Sequence, residues 1–268
     1  MGRKPHADIR LARIPELSGS GLTHFTKAEN PVSRHAHDSL VLGTVDSGVR
    51  EITVADAAIH AGPGAVFVIP PGTVHSVSHP EGPCTGFALH CHPADLNELL
   101  GEVPPMVTLA VQDHLLRSRL KDVAEAVAKE LPALEQHGRL AEALARLQDR
   151  HGEAAALPER RPHSGAEKAK ALMVKRFAEP LRLADLAEAA GMNPCALGRA
   201  FSASMGMPPH EFLTFVRVRN ARRLLDSGAG VADTAAACGF SDQSHMHRAF
   251  KAVLGMTPGQ YAEACAET

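Results

Sequence analysis

"VADTAAACGFSDQSHMHRAFKAVLGMTP" spans Val231 to Pro258, and most of its pattern has already occurred as "LADLAEAAGMNPCALGRAFSASMGMPP", Leu183 to Pro209. Ala184, Asp185, Ala187, Ala189 and Gly191 recur 48 positions later as Ala232, Asp233, Ala235, Ala237 and Gly239. After one inserted residue, Arg199, Phe201, Ala203, Gly206, Met207 and Pro209 recur 49 positions later as Arg248, Phe250, Ala252, Gly255, Met256 and Pro258. The chain therefore builds one small object twice.

Each copy begins with an Ala-rich helix. Leu183, Leu186, Ala187 and Ala190 line one face in the first copy, and Val231, Thr234, Ala235 and Cys238 do so in the second. Gly191 or Gly239 follows, where a positive φ ends a helix at little steric cost. Asn193 before Pro194, and Ser241 before Asp242, then offer an N-cap for a second helix. That helix turns Leu197 and Phe201, or Met246 and Phe250, inward. Small residues allow close approach and the glycine turn sets a steep angle, which is the pattern of a helix-turn-helix. Two in register, with shared Asp, Gly, Arg, Phe and a terminal Gly-Met-x-Pro, are far more specific than one.

Between the copies lies "PHEFLTFVRVRNARRLLDSG", Pro209 to Gly228. Phe212, Phe215, Val216, Val218, Ala221, Leu224 and Leu225 supply an apolar face, and Arg217, Arg219, Arg222 and Arg223 crowd the same helix. Such arginines serve either as phosphate contacts or as solvated surface.

Residues of about 169–262 resemble the AraC-type DNA-binding domain, a pair of helix-turn-helix units on a linker helix; "ARRLLDSGAGVADTAAACGFSDQSHMHRAFKAVLGMTPGQY" carries the likeness most clearly. The resemblance implies transcription regulation, double-stranded DNA as partner, and second helices that enter successive major-groove faces. Carried over position by position, it points to Gln243, Ser244, His245, His247 and Arg248 in the second reader, and to Cys195 and Arg199 in the first. Gln and Arg can make bidentate contacts to A or G. Gly198 has no side chain to offer, so the second unit is expected to carry most base discrimination.

The first 92 or so residues are punctuated differently. Gly and Pro recur at short intervals ("ENPVSRH", "VDSGVRE", "HAGPGAVFVIPPGTVH"), with apolar runs at Leu40–Val45, Ala65–Ile69 and Phe87–Leu89 between them. This predicts several short strands in a sandwich or barrel. Gly64, Pro70, Gly72 and His75 keep the spacing G-x5-P-x-G-x2-H, and His35 and His37 form an HxH pair. Residues of about 20–92 thus resemble a cupin β-barrel, the sensor domain common in AraC-type regulators. In metal-binding cupins an HxH pair on one strand face, a glutamate four residues on and a third histidine complete the site. Here the glutamate position is Val41. His35, His37 and His75 are the expected effector-binding residues; they could hold a divalent transition metal such as zinc, or instead hydrogen-bond a small molecule. His79, His90 and His92 are further candidates.

Leu115, Leu116, Leu120, Val123, Ala126, Val127 and Leu131 fall at helical spacing, and Leu140, Ala143, Leu144 and Leu147 continue beyond Pro132. Two such helices either cap the barrel core or form a dimer surface; the stripe Leu116, Leu120, Val123 and Val127 is the candidate seam of a homodimer. "RHGEAAALPERRPHSGAEK" lacks periodicity and reads as a linker. The expected fold class is α+β. Residues 1–150 form a cupin-like barrel with appended helices, residues 151–168 a linker, and residues 169–268 an all-α double helix-turn-helix domain.

The bulk figures agree with this division. From Ala166 onward there are 12 Lys and Arg against 10 Asp and Glu in a chain whose net charge is −2, so the positive balance lies at the C-terminal end. Five cysteines without a CxxC suggest reduced thiols and a cytoplasmic setting. "MGRKPHADIRLARIPEL" lacks an apolar segment of signal-peptide type, and no run approaches the ~18 apolar residues of a membrane span. No catalytic constellation stands out and the chain is not expected to be an enzyme; the alternative is a metal-dependent cupin enzyme tethered to a DNA-binding domain. RNA polymerase is a further partner that the resemblance admits.

Overall fold

The segment Leu40–Ser47 shows why the barrel half of the chain has near-continuous apolar runs: its residues Leu40 to Val45 are all buried. Leu40 and Leu42 turn to one side, Val41 and Val45 to the other. A strand covered on both faces has no polar phase. In a computed structural model the chain is described over residues 8–17, 19–55, 57–100, 109–152 and 163–266.

Ten strands are described: β1 (Asp8–Arg13), β2 (Gly21–Ala28), β3 (Val32–His35), β4 (Leu40–Ser47), β5 (Arg50–Val54), β6 (Ala57–Ala61), β7 (Val66–Ile69), β8 (His75–Ser78), β9 (Cys84–Cys91) and β10 (Leu109–Val111). They form a six-stranded sheet ordered β1-β2-β9-β4-β7-β10 and a four-stranded sheet ordered β3-β8-β5-β6. Phe25, Val41, Val45, Ile52, Phe67, Ile69 and Ala88 are among the residues of one core, drawn from both sheets. The other face of the six-stranded sheet joins α1 (Pro93–Leu100), α2 (His114–Ala128) and α3 (Ala133–His151) in a second core. The two strands outside residues 20–92, β1 and β10, occupy the edges of the larger sheet.

Pro132 separates α2 from α3 as the sequence suggests. The dimer seam is different. Leu116, Leu120 and Val123 are 0 % exposed and Val127 6 %, packed with Leu140, Leu144, Leu147 and the sheet. The stripe is consumed inside its own domain and cannot also face a second copy. Burial of a leucine against its own sheet requires no partner and carries the same helical period, so the pattern alone does not separate the two.

The helical half contains α4 (Ser164–Lys175), α5 (Leu183–Ala190), α6 (Pro194–Met205), α7 (Pro209–Asp226), α8 (Val231–Ala237), α9 (Gln243–Leu254) and α10 (Pro258–Ala266). α4 begins inside the stretch read as linker, because the His163 side chain caps it by accepting from the Gly165 amide at 3.2 Å, and Gly165 and Ala166 are already buried. By contacts the chain divides into two units, residues 1–31 with 36–157 and residues 158–267 with 32–35. The strand Val32–His35 is hydrogen-bonded beside β8, and its residues are treated with that sheet.

Candidate functional site

The two helix-turn-helix units follow the repeat closely. Gly191 and Gly239 have φ of 66° and 74°. Asn193 Oδ1 accepts the Ala196 amide at 2.8 Å and Pro194 opens α6. Leu197, Phe201, Met246 and Phe250 are all 0 % exposed, as their spacing predicts. Leu183 is not: it is 42 % exposed in the first turn of α5.

The cap of α9 is Asp242 rather than Ser241. Asp242 Oδ1 accepts the His245 amide at 2.7 Å, and a carboxylate also suits the positive end of a helix. That bond, with the Ser241 hydroxyl on Oδ2 at 3.0 Å, holds the Asp242 carboxyl below its usual range. The same hydroxyl lies 3.1 Å from His245 Nδ1, and the His245 ring meets Phe240 edge-on at 5.3 Å. His245 is thereby drawn back onto the turn. Gln243, Ser244, His247 and Arg248 are exposed on α9, and Cys195 and Arg199 on α6. Positions 243, 244, 247 and 248 share one helical face, as do 195 and 199.

The arginines of α7 separate by role. Arg217 donates from Nε to the Phe177 carbonyl at 2.7 Å and from a terminal nitrogen to the Glu179 carbonyl at 2.9 Å, so it closes the α4–α5 connection. Arg219 lies over the Phe215 ring at 6.0 Å. Arg222 and Arg223 are exposed.

In the barrel, His35, His37 and His75 bring one ligand atom each within 4.8 Å of one another. His35 ends β3 and His75 opens β8, adjacent strands. His37 lies beyond the end of β3, not on the same strand face as His35; its carbonyl accepts the Gly72 amide at 2.7 Å. Gly72, at φ 73°, sits in the turn between β7 and β8, so the glycine motif fastens the HxH segment beside the third histidine. His35 and His75 are 4 % and 2 % exposed. Their Nδ1 atoms lie 2.7 Å from the Ser33 carbonyl and 2.9 Å from the Thr73 carbonyl. A carbonyl can only accept, so Nδ1 carries the proton and Nε2 the lone pair. Burial pushes His75 down to about 4 against the pull of the Thr73 bond, and the Arg50 charge adds to the fall. At neutral pH it is the neutral imidazole that ligates metals.

Of the three further histidines, His90 is the one whose ring lies beside this cluster. Its ring centroid is 5.2 Å from that of His37, the same separation as His37 from His75. His92 instead accepts the Ala94 amide at 3.3 Å at the start of α1, and His79 lies past the far end of β8.

Among known proteins, a model of the AraC-like ligand binding domain matches residues 23–161 and a helix-turn-helix domain model matches residues 186–264. The uncharacterized HTH-type transcriptional regulator YbfI of Bacillus subtilis (strain 168) is 26 % identical over 252 residues, 90 % of this chain and 87 % of its own length. The HTH-type transcriptional regulator Rv1931c of Mycobacterium tuberculosis is 36 % identical over 86 residues, 32 % of this chain and 33 % of the relative. The fold is that of ToxT from Vibrio cholerae, with a TM-score of 0.57 at 12 % identity over 92 % of this chain and 99 % of that one. Among the described residues, no helix is long and apolar enough to cross a membrane. With the ligand-binding model covering half its length and the paired DNA-reading helices following, this chain belongs to the AraC family and is a DNA-binding transcription regulator with a ligand-binding domain.

Proposed function

We propose that this regulator reads a specific double-stranded operator chiefly through α9, with Gln243, Ser244, His247 and Arg248 as the contacting set and Cys195 and Arg199 of α6 as a weaker one. His245 acts by fixing the turn. The regulator works in the cytoplasm as a homodimer, which places four reading helices on the operator, and it acts with RNA polymerase at the promoter.

The barrel senses a divalent transition-metal ion such as Zn²⁺, held by His35, His37 and His75 with His90 beside them. The observation that carries this reading is the approach of three histidine ligand atoms to within 4.8 Å, two of the rings being oriented by backbone carbonyls. His35, His37 and His75 would each offer one imidazole nitrogen to such an ion, which would supply a charged, ligand-accepting centre in the barrel. Three neutral imidazoles suit Zn²⁺, Ni²⁺ or Fe²⁺. Val41 stands in the carboxylate position, and no enzymatic step is assigned to the site. Sensing requires that the metal bind two states of the regulator with different affinity.

The test begins by sequencing genomic DNA bound to the purified full-length protein. Affinity for that operator is then measured with and without Zn²⁺. A metal-dependent change is expected in the wild type and is expected to vanish in His35→Ala/His75→Ala, with metal-free affinity retained. A full wild-type response in the double variant would remove these histidines from sensing.

A further inference from the structure

The strand β5 reads Arg-Glu-Ile-Thr-Val, and its alternate residues Ile52 and Val54 are 0 % and 8 % exposed in the core between the sheets. Arg50 is in phase with them, so it too turns inward. Its guanidinium lies 4.6 Å from the centroid of the Phe25 ring and 5.2 Å from that of Phe67, both residues of that core. Its Nε is buried and has no hydrogen-bond partner. The neighbouring outward residue Glu51 is already engaged by His60 at 2.9 Å and Ser78 at 2.8 Å.

Arg50 is half-buried as a residue, with its Nε fully enclosed, and a cation set this far into a core normally faces a carboxylate. Arg50 rests on ring faces instead, which offset only part of its lost hydration. Burial pushes it down to about 10, still far above neutrality, so it remains a guanidinium ion. Among the described residues, the acid that reaches it electrostatically is the Cys84 thiol, which burial pushes up and keeps protonated.

A second orphan stands with it. His79 Nδ1 is also buried without a partner, while the ring is hydrogen-bonded to the Val49 backbone. The β5–β8 register pairs Val54 with His75, Ile52 with Val77 and Glu51 with Ser78, which brings Arg50 beside the residue after Ser78. Burial, and after it the Arg50 charge, depresses His79. Arg50 is four residues along β5 from Val54, the partner of His75, or about 13 Å at strand spacing. The two backbone positions are thus separate, although the Arg50 charge reaches as far as His75.

We propose that Arg50 and His79 form the polar end of an anion-binding site inside the barrel, and that the site takes a small organic carboxylate with an apolar body. A planar carboxylate matches the fork of a guanidinium with two parallel hydrogen bonds. Phe25 and Phe67 hold that fork from its faces and offer ring surface to the rest of the ligand. His79 presents a lone pair that either receives a proton and donates to the anion or accepts from a ligand hydroxyl. The site stands whether or not the histidine cluster takes a metal.

The experiment uses the full-length protein and four ligands: benzoate, octanoate, acetate and inorganic phosphate. Thermal shift and calorimetry are expected to show saturable binding of benzoate or octanoate. Acetate and phosphate should bind at least tenfold more weakly. Arg50→Gln should weaken the carboxylate at least tenfold, and His79→Ala should weaken it less. Metal binding at His35 and His75 should be retained in both variants, and no weaker in Arg50→Gln, where a charge that acts on His75 is removed; the loss of carboxylate binding alone marks this site. Arg50→Met supplies a readout independent of the chosen ligand: if the cation is held for an anion, its removal raises the melting temperature of the ligand-free protein. Phosphate binding alone, equal carboxylate binding by Arg50→Gln, or a lower ligand-free melting temperature in Arg50→Met would each overturn the proposal.

Discussion

Val41 and His90 face each other across the β4–β9 ladder. The position at which a metal-binding cupin carries its carboxylate is apolar here, and an imidazole stands beside it on the adjacent strand, 5.2 Å ring to ring from His37. Paired residues project to the same side of a sheet, so the His90 imidazole points to the same side as Val41. If the cluster binds metal, His90→Ala should reduce Zn²⁺ or Co²⁺ affinity by about 10–100-fold, the range seen when a supporting group of a metal site is removed. Competition with a chelator of known affinity measures it, and unchanged affinity would leave His90 outside the site.

Arg248→Ala and Arg217→Ala should separate recognition from stability. Arg248 is exposed on α9, and its loss is expected to cost about 1–3 kcal/mol on the best operator. Arg217 instead bonds two backbone carbonyls. Its removal should lower stability by about 2 kcal/mol and leave the salt dependence of DNA binding unaltered. Urea unfolding and binding titrations at several salt concentrations distinguish the two.

Two glycines of the repeats should respond oppositely to alanine. An added Cβ at Gly198, inside α6, meets no atom within 4 Å, so Gly198→Ala should gain about 0.5–1 kcal/mol of helix stability. At Gly239 the φ is 74° and the added Cβ would lie 2.4 Å from the Ala178 carbonyl oxygen. Gly239→Ala should cost at least about 2 kcal/mol, from the left-handed backbone and the clash together. Thermal unfolding of the two variants checks the sign of each.

Asp113 should mark the acid limit of the sensor domain. It caps α2 through the Leu116 amide at 3.0 Å and meets Arg146 and His151, both at 3.1 Å. Burial alone would raise its pKa; the Leu116 bond and the two side chains outweigh that and hold it at about 2. A folded value below the unfolded ~3.9 means its contribution is complete above about pH 4 and is lost as the pH falls through 2. The shift corresponds to about 2 kcal/mol. Asp113→Asn keeps the cap and should remove that acid-dependent part, whereas Asp113→Ala should also lose about 1 kcal/mol of capping. Stability measured between pH 2 and 7 tests both.

Leu120→Ala should destabilise the chain by about 2–5 kcal/mol through a cavity in the helix–sheet core, with a loss independent of protein concentration. A loss that grew on dilution would place Leu120 at an interface between copies, against its 0 % exposure.

The DNA-reading half is legible in the sequence because its determinants are local. A left-handed glycine, the Asn193 cap, the proline at the first turn of α6 and the inward Phe201 and Phe250 each act within a few residues, and the repetition displays them twice. The choice of Asp242 over Ser241 as cap depended on which oxygen reaches the His245 amide. The commitment of Arg217 depended on carbonyls near residue 178. In the sensor half, spacing marked His35, His37 and His75 but did not set His90 apart from the further candidates His79 and His92, because its neighbour at Val41 is set by strand register across 49 positions of chain. The helical period of Leu116 to Val127 is the same whether the stripe meets its own sheet or a second copy, and only packing decides. Arg50 carries a sequence signal, being in phase with Ile52 and Val54. That phase has meaning only once the sheets show which side is inside, because a period of two describes both faces of a strand equally well.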